Sequence, residues 1–221
     1  MKKSLVGALV AVLISVLVSL TPSASAGTTG RSVPPPSLSG TFIIGDSTLF
    51  RVAPRLKVVE PDWHIDHQRG RPVSALRQRM AKYLRINPHP ANFVMALGTN
   101  RCHFPEWSAA RLRRAIAQVP AQTNVFLVMV VRAGSYQRDK DVTLRLYNRY
   151  SRHLAQTRPN TYIINWRRTV LADPTLDPVT GESELLVDGT HQTGDTHGQP
   201  PGPGVDTYVN LIVSKWNQVN R

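Results

Sequence analysis

The chain has 221 residues, long enough for one domain with a full hydrophobic core. It carries 27 Lys and Arg against 14 Asp and Glu, a formal net charge of +13, so its surface draws anionic partners. A single cysteine, Cys102, excludes an internal disulfide, and the core alone must hold the fold.

Met1-Lys2-Lys3 reads as a positive n-region, Leu5 to Leu20 as an apolar h-region, and Ala24-Ser25-Ala26 as a small-residue cleavage site. Residues 1–26 are therefore expected to be a signal peptide, with a mature chain from Gly27. The alternative is an uncleaved anchor. The apolar run falls short of the ~20 residues a spanning helix needs, which favours cleavage. Either way the domain works outside the cytoplasm, secreted or associated with the cell wall. Removal of Lys2 and Lys3 lowers the formal charge to +11, most of it from arginines spread along the chain. Outside a cell the anionic partners include wall polymers and membrane headgroups. With no aromatic-interleaved basic motif and no zinc-finger spacing, nucleic acid is not expected. Residues 27–40, with Arg31-Ser32-Val33-Pro34-Pro35-Pro36, read as a linker, and the domain as 41–221.

The apolar run Phe42 to Ile44 reads as the first buried strand, and the short stretch Thr48 to Ala53 starts as a helix that Pro54 stops. Lys57 to Glu60 and Trp63 to His67 read as one strand broken at Pro61, or two short ones. Val73, Leu76, Met80 and Leu84 have helical spacing over Val73 to Ile86. Phe93 to Leu97 is a buried strand, Ser108 to Val119 a basic helix, and Asn124 to Val131 a continuous apolar strand. Val142 to Gln156 is a helix, Thr161 to Asn165 a strand, and Val205 to Asn217 a closing helix. Apolar strands alternating with amphipathic helices indicate a parallel sheet covered on both faces. Reactive groups of such sheets gather at the carboxyl ends of the strands.

Two fragments sit at that edge. Gly45-Asp46-Ser47 follows one apolar run, where glycine permits a sharp turn that delivers a serine hydroxyl, and Gly98-Thr99-Asn100 follows another. A serine hydroxyl needs a base, and His191 is the candidate. Asp188, three residues earlier, can accept the ring's other N–H and fix the tautomer. Donors for a tetrahedral oxyanion are the N–H of Ser47, the side-chain amide of Asn100 and a glycine N–H, best placed at Gly70. Each fragment alone also has a plain structural reading, Asp46 or Ser47 as a helix cap and Asp188-Gly189 as a turn. Their order and placement together favour a serine ester hydrolase.

On Gly45-Asp46-Ser47, Gly70, Gly98-Thr99-Asn100 and Asp188-Gly189-Thr190-His191 the chain resembles the SGNH (GDSL-type) hydrolases over about residues 41 to 217. The resemblance implies a three-layer α/β/α sandwich with a mainly parallel, flavodoxin-like sheet. It also implies Ser47–His191–Asp188 chemistry, with Ser47, Gly70 and Asn100 in the oxyanion hole. Thr48 stands where the family often has leucine. The short Gly98-Thr99-Asn100 block and the Arg69-Gly70-Arg71 context are similar to the extracellular domains of cell-wall polysaccharide O-acetyltransferases. Those accompany a multi-span membrane acyl carrier, which these residues do not include. Where the family often has Asp after the block asparagine, this sequence has Arg101, a candidate for binding an anionic substrate or for a surface salt bridge.

Other combinations compete. Asp195-Thr196-His197 is a rival acid–base pair with poorer spacing, in a Gly/Pro-rich stretch from Gly194 to Gly204 that reads as a lid or a surface insertion. Cys102 is a bystander thiol. His64, Asp66 and His67 combine metal-ligand types, but a strand puts His67 on the opposite face and no further cluster completes a site. The expected function is hydrolysis or transfer of a short acyl ester through acyl-Ser47, by a monomer without metal or cofactor. The alternative is a catalytically silent module that holds anionic wall glycans through its basic surface, and a basic nuclease is a weaker third reading.

Overall fold

Short runs rich in Val, Ile and Phe, buried on both faces, build a parallel sheet whose edge carries the residues of interest. The computed structural model describes residues 37–100, 109–194 and 202–221. The leader, most of the linker, Arg101, Cys102, Asp195 and His197 lie outside these residues. The strands are β1 (Ser39–Gly45), β2 (His64–His67), β3 (Pro90–Ala96), β4 (Asn124–Val128) and β5 (Thr161–Ile164). They lie in the order β2-β1-β3-β4-β5 with every neighbouring pair parallel. This is the flavodoxin-like order, as expected. Gly45 of β1 stands opposite Ala96 of β3. Both strands therefore end at one level, and the residues that follow leave the sheet at a common carboxyl edge.

Helices cover both faces. On one side α2 (Leu76–Ile86), α3 (Ala109–Ile116) and α4 (Arg138–Thr157) bury Leu76, Met80, Leu112, Ile116, Leu144 and Tyr147 against Phe42, Phe93 and Leu127. On the other, α1 (Ser47–Val59), α5 (Trp166–Leu171) and α6 (Gly204–Asn220) bury Leu49, Leu56, Trp166 and Tyr208 against Ile43, Val94 and Phe126.

Some local expectations change. Pro54 does not stop α1, which runs on through it, so Lys57 to Val59 is helix rather than strand. Leu49, Val52, Ala53 and Leu56 keep a buried stripe at i, i+3, i+4 and i+7 across the proline, whose own position is exposed. Burying such side chains contributes ~1.5–3 kcal/mol each, which offsets the ~3 kcal/mol a mid-helix proline costs. Only His64–His67 of the predicted second strand pairs in the sheet. The Val73 to Ile86 segment opens with a 3-10 turn over Val73–Ala75 before α2. Strand β1 starts two residues before the predicted domain boundary, and the short helix α5, which was not foreseen, follows β5.

Candidate active site

Gly45 ends β1 because nothing larger fits. A Cβ there would collide with the Leu49 side chain and lie 2.7 Å from the Ala96 carbonyl oxygen. The next residue, Asp46, is fully buried and caps α1. Its Oδ1 accepts from the Thr48 N–H at 3.1 Å and the Thr48 hydroxyl at 3.0 Å. Its Oδ2 accepts from the amides of Gly98 and Thr99 at 3.1 and 2.9 Å. One carboxylate thus ties the end of β1 to the loop after β3. Ser47 is the first residue of α1, where a backbone N–H has no acceptor within the helix.

The histidine arrives from a turn rather than from the sheet. Asp188 Oδ1 accepts from the amides of Thr190 and His191 at 3.0 and 2.8 Å, an Asx-type turn that folds the ring back. His191 Nδ1 lies 2.7 Å from Asp188 Oδ2, and His191 Nε2 lies 2.9 Å from Ser47 Oγ. Burial pushes the Asp188 carboxyl up. The bonds from the His191 ring and from the His191 and Thr190 amides outweigh it and pull the carboxyl down to about 2. Ionised Asp188 places the proton on Nδ1, so that Nε2 accepts from the serine hydroxyl.

Gly70 lies exposed at φ +67°, in a turn whose Gln68 N–H donates to Gly45 O at 3.4 Å. Asn100 Nδ2 donates to Arg71 O at 3.4 Å. The turn therefore spans from the β1 terminus to the Asn100 amide, and the predicted donor residues are gathered at one edge. Arg71 fixes this corner from below. Its buried guanidinium donates to Gly45 O at 3.2 Å and Asp66 O at 2.8 Å, and meets Asp66 Oδ1 at 2.6 Å.

Asp66 is thereby committed to structure, since Arg79 also donates to its Oδ2 at 2.6 Å. Burial pushes its pKa up, and these two guanidiniums hold it below the usual carboxylate range. His64 packs against Phe42 and Tyr83, while His67 faces Phe50 of α1 on the other side of the sheet. Among the described residues no group of three or more His, Cys, Asp or Glu is placed to hold a metal ion.

Sequence reasoning missed the residues that hold Asp188. Its carbonyl oxygen accepts from the Tyr136 hydroxyl at 3.0 Å and from Gln137 Nε2 at 3.1 Å. Gln137 Oε1 accepts from Arg132 Nη1 at 3.0 Å, and Arg132 Nε donates to Thr99 O at 3.3 Å. A polar chain thus connects the two loops through the β4–α4 connection. The available signal was the position of Arg132, directly after the continuous apolar run that forms β4. Also unforeseen are Arg51, one turn beyond Ser47, whose Nη1 donates to Gln192 O at 3.4 Å, and Arg69, stacked 4.4 Å above the Phe50 ring. Arg101, the expected cation at the mouth, lies outside the described residues.

No protein-family profile matches the chain, and no curated protein sequence does. Solved structures do. With a TM-score of 0.65 at 20% identity, it matches the C-terminal catalytic domain of peptidoglycan O-acetyltransferase A from Streptococcus pneumoniae, solved with a methylsulfonyl adduct. The match covers 82% of this chain and 94% of that one. The chain has the SGNH-hydrolase fold. A lipolytic protein of the G-D-S-L family from Veillonella parvula gives a TM-score of 0.60 at 12% identity, covering 81% of this chain and 98% of that one. A carbohydrate esterase of family 3 from Talaromyces cellulolyticus gives 0.55 at 12% identity, over 82% and 98%. At such identities the likeness establishes the SGNH-hydrolase fold, and the chemistry rests on the site itself.

Proposed function

We propose that the chain is a secreted serine esterase or O-acetyl transferase that acts through an acyl-Ser47 intermediate on short acyl esters of cell-wall or other extracellular glycans. The observation that carries this reading is the continuous relay from Asp188 Oδ2 through both ring nitrogens of His191 to Ser47 Oγ, at 2.7 and 2.9 Å.

Ser47 Oγ attacks the ester carbonyl carbon as His191 Nε2 takes its proton, and Asp188 stabilises the imidazolium. The tetrahedral oxyanion is met by the N–H groups of Ser47 and Gly70 and by the Asn100 amide. Asn100 gives one N–H to Arg71 and has a second for this purpose. Collapse breaks the ester C–O bond, and the leaving oxygen takes the proton from Nε2. Water or an acceptor hydroxyl then gives its proton to Nε2 and attacks the acyl-enzyme. A second collapse releases acid or a new ester and returns the proton to Ser47. The acceptor alone distinguishes hydrolase from transferase.

Placement outside the cell is supported by the leader-like residues 1–26 and by the basic composition. A glycan ester as substrate is supported by two of the structural neighbours, a peptidoglycan O-acetyltransferase domain and a carbohydrate esterase. The residues between the leader and β1 then act as the linker, and the chain from Ser39 as a monomeric catalytic domain.

The test is turnover of p-nitrophenyl acetate by the full-length protein beside Ser47→Ala and His191→Ala. Activity in the parent that both variants abolish supports the mechanism. Equal background rates in all three would sink the simple esterase reading and favour the silent glycan-binding module.

A further inference from the structure

The positive charge is divided unequally between the two helical layers. Helix α2 has four basic residues and no acidic one, and α3 has three in eight residues, again with no acid. Helix α4 adds five against Asp139 and Asp141, and Asp141 is already held by Arg167 at 2.8 Å. All of these cations are exposed except Arg79, which is bonded to Asp66. On the opposite layer α1, α5 and α6 together carry six basic residues, half as many, against the single acid Asp206, which pairs with Arg55 at 2.7 Å.

The basic layer is also grooved. A depression of about 600 Å³ between α2 and α3 is bordered by Arg77, Arg111 and Arg114. A second, of about 580 Å³ between α3 and α4, is bordered by Arg113, Arg149 and Arg152.

We propose that the α2–α3–α4 layer is a docking surface for a linear phosphodiester polymer of the cell wall, seated along the grooves that flank α3. The charge is mostly arginine, whose planar fork matches pairs of phosphate oxygens better than an ammonium does. Two grooves at helix spacing suit a thin, flexible chain, whereas a bilayer offers a plane that cannot enter them. Tyr150, half buried, and His153, exposed, are the two aromatic side chains that border the grooves among the described residues, both on the second. The first groove therefore has no ring to stack on and the second only these two, short of the row of platforms on which single-stranded nucleic acid depends. Docking here leaves the carboxyl edge of the sheet open and holds the enzyme beside its substrate, raising the local concentration of acyl esters. The proposal assumes an extracellular chain but does not depend on Ser47 chemistry.

The experiment measures binding of the full-length protein to immobilised poly(glycerol phosphate), with plasmid DNA and phosphatidylglycerol vesicles as alternatives. Binding to the polymer is expected to weaken steeply between about 50 and about 200 mM salt. Arg113→Gln, Arg149→Gln and Arg152→Gln combined should weaken it roughly tenfold or more, since each basic side chain facing an anionic surface contributes about one kcal/mol. Arg55→Gln, Lys57→Gln and Arg168→Gln combined, on the other layer, should change it by less than about twofold. Equal losses in the two triple variants, no loss in the first, or tighter binding to DNA or vesicles than to the polymer each overturns the proposal. Polymer binding that persists in a protein without esterase activity leaves this proposal standing and removes the catalytic one.

Discussion

The two ends of the serine–histidine pair are held in different ways. Ser47 follows a fully buried carboxylate that accepts four hydrogen bonds and stands on a helix packed against the sheet. His191 stands on a turn whose Asp188 has a side chain 45% exposed and a carbonyl oxygen held by the exposed Tyr136 hydroxyl and the buried Gln137 amide. The position of Ser47 is thus part of the fold, whereas His191 is positioned by a polar network that the proposed function expects to be open to disturbance while the protein stays folded. Buried charge-assisted bonds are costly to break, and exposed ones mainly orient.

The largest effect should come from the histidine end. Asp188→Asn is expected to lower kcat for an acyl ester about 10³–10⁴-fold through the wrong tautomer. Melting temperature should change by only a few degrees, and a comparable loss of fold would erase the contrast. Asp46→Ala should do the reverse. It strands the buried amides of Thr48, Gly98 and Thr99 and should cost about 3 kcal/mol or more in denaturant unfolding. Gly98→Ala tests the same end by sterics, because at φ +138° a Cβ would lie 2.6 Å from the Tyr147 ring. A loss of about 2–3 kcal/mol is expected, read by the same unfolding midpoint. Gln137→Ala removes a bond to the Asp188 carbonyl and should lower kcat about tenfold with KM little changed. A rise in KM alone would show that Gln137 binds substrate instead.

The smallest effect is in acid. The Asp188 pKa of about 2 lies below its ordinary value of roughly 3.9, so its contribution to stability is present above that value. It is lost as pH falls from about 4 to about 2. Asp66 shifts in the same direction, so the parent minus Asp188→Asn difference isolates the exposed end. That difference should be small, and a large one would mean that the turn carries fold stability.

The parallel sheet was legible because its strands are continuous apolar runs, and three of the site fragments because each follows a strand or carries an Asp-Gly turn, whereas Gly70 has no such local signal. Helix α1 was misread because local proline chemistry points one way and the stripe from Leu49 to Leu56 points the other, and only packing decides. The Arg132–Gln137–Asp188 chain was invisible because it joins residues about 50 positions apart in sequence by side-chain bonds that no local pattern encodes. Asp46 could be read as a cap, but its hold on Gly98 and Thr99 depends on the β1–β3 register.

One pairing bears on how the chain matures. The Trp216 indole N–H donates to the Thr41 hydroxyl at 3.2 Å, and the Tyr208 and Thr48 hydroxyls are hydrogen-bonded, so α6 covers the strand and helix that present Ser47. Of the described elements, the first to emerge in synthesis waits for the last. A nascent chain stalled before α6 exposes the apolar face of α1 and leaves its serine without a fixed address. On the proposed function, Ser47 then stays idle until the polypeptide has passed residue 216.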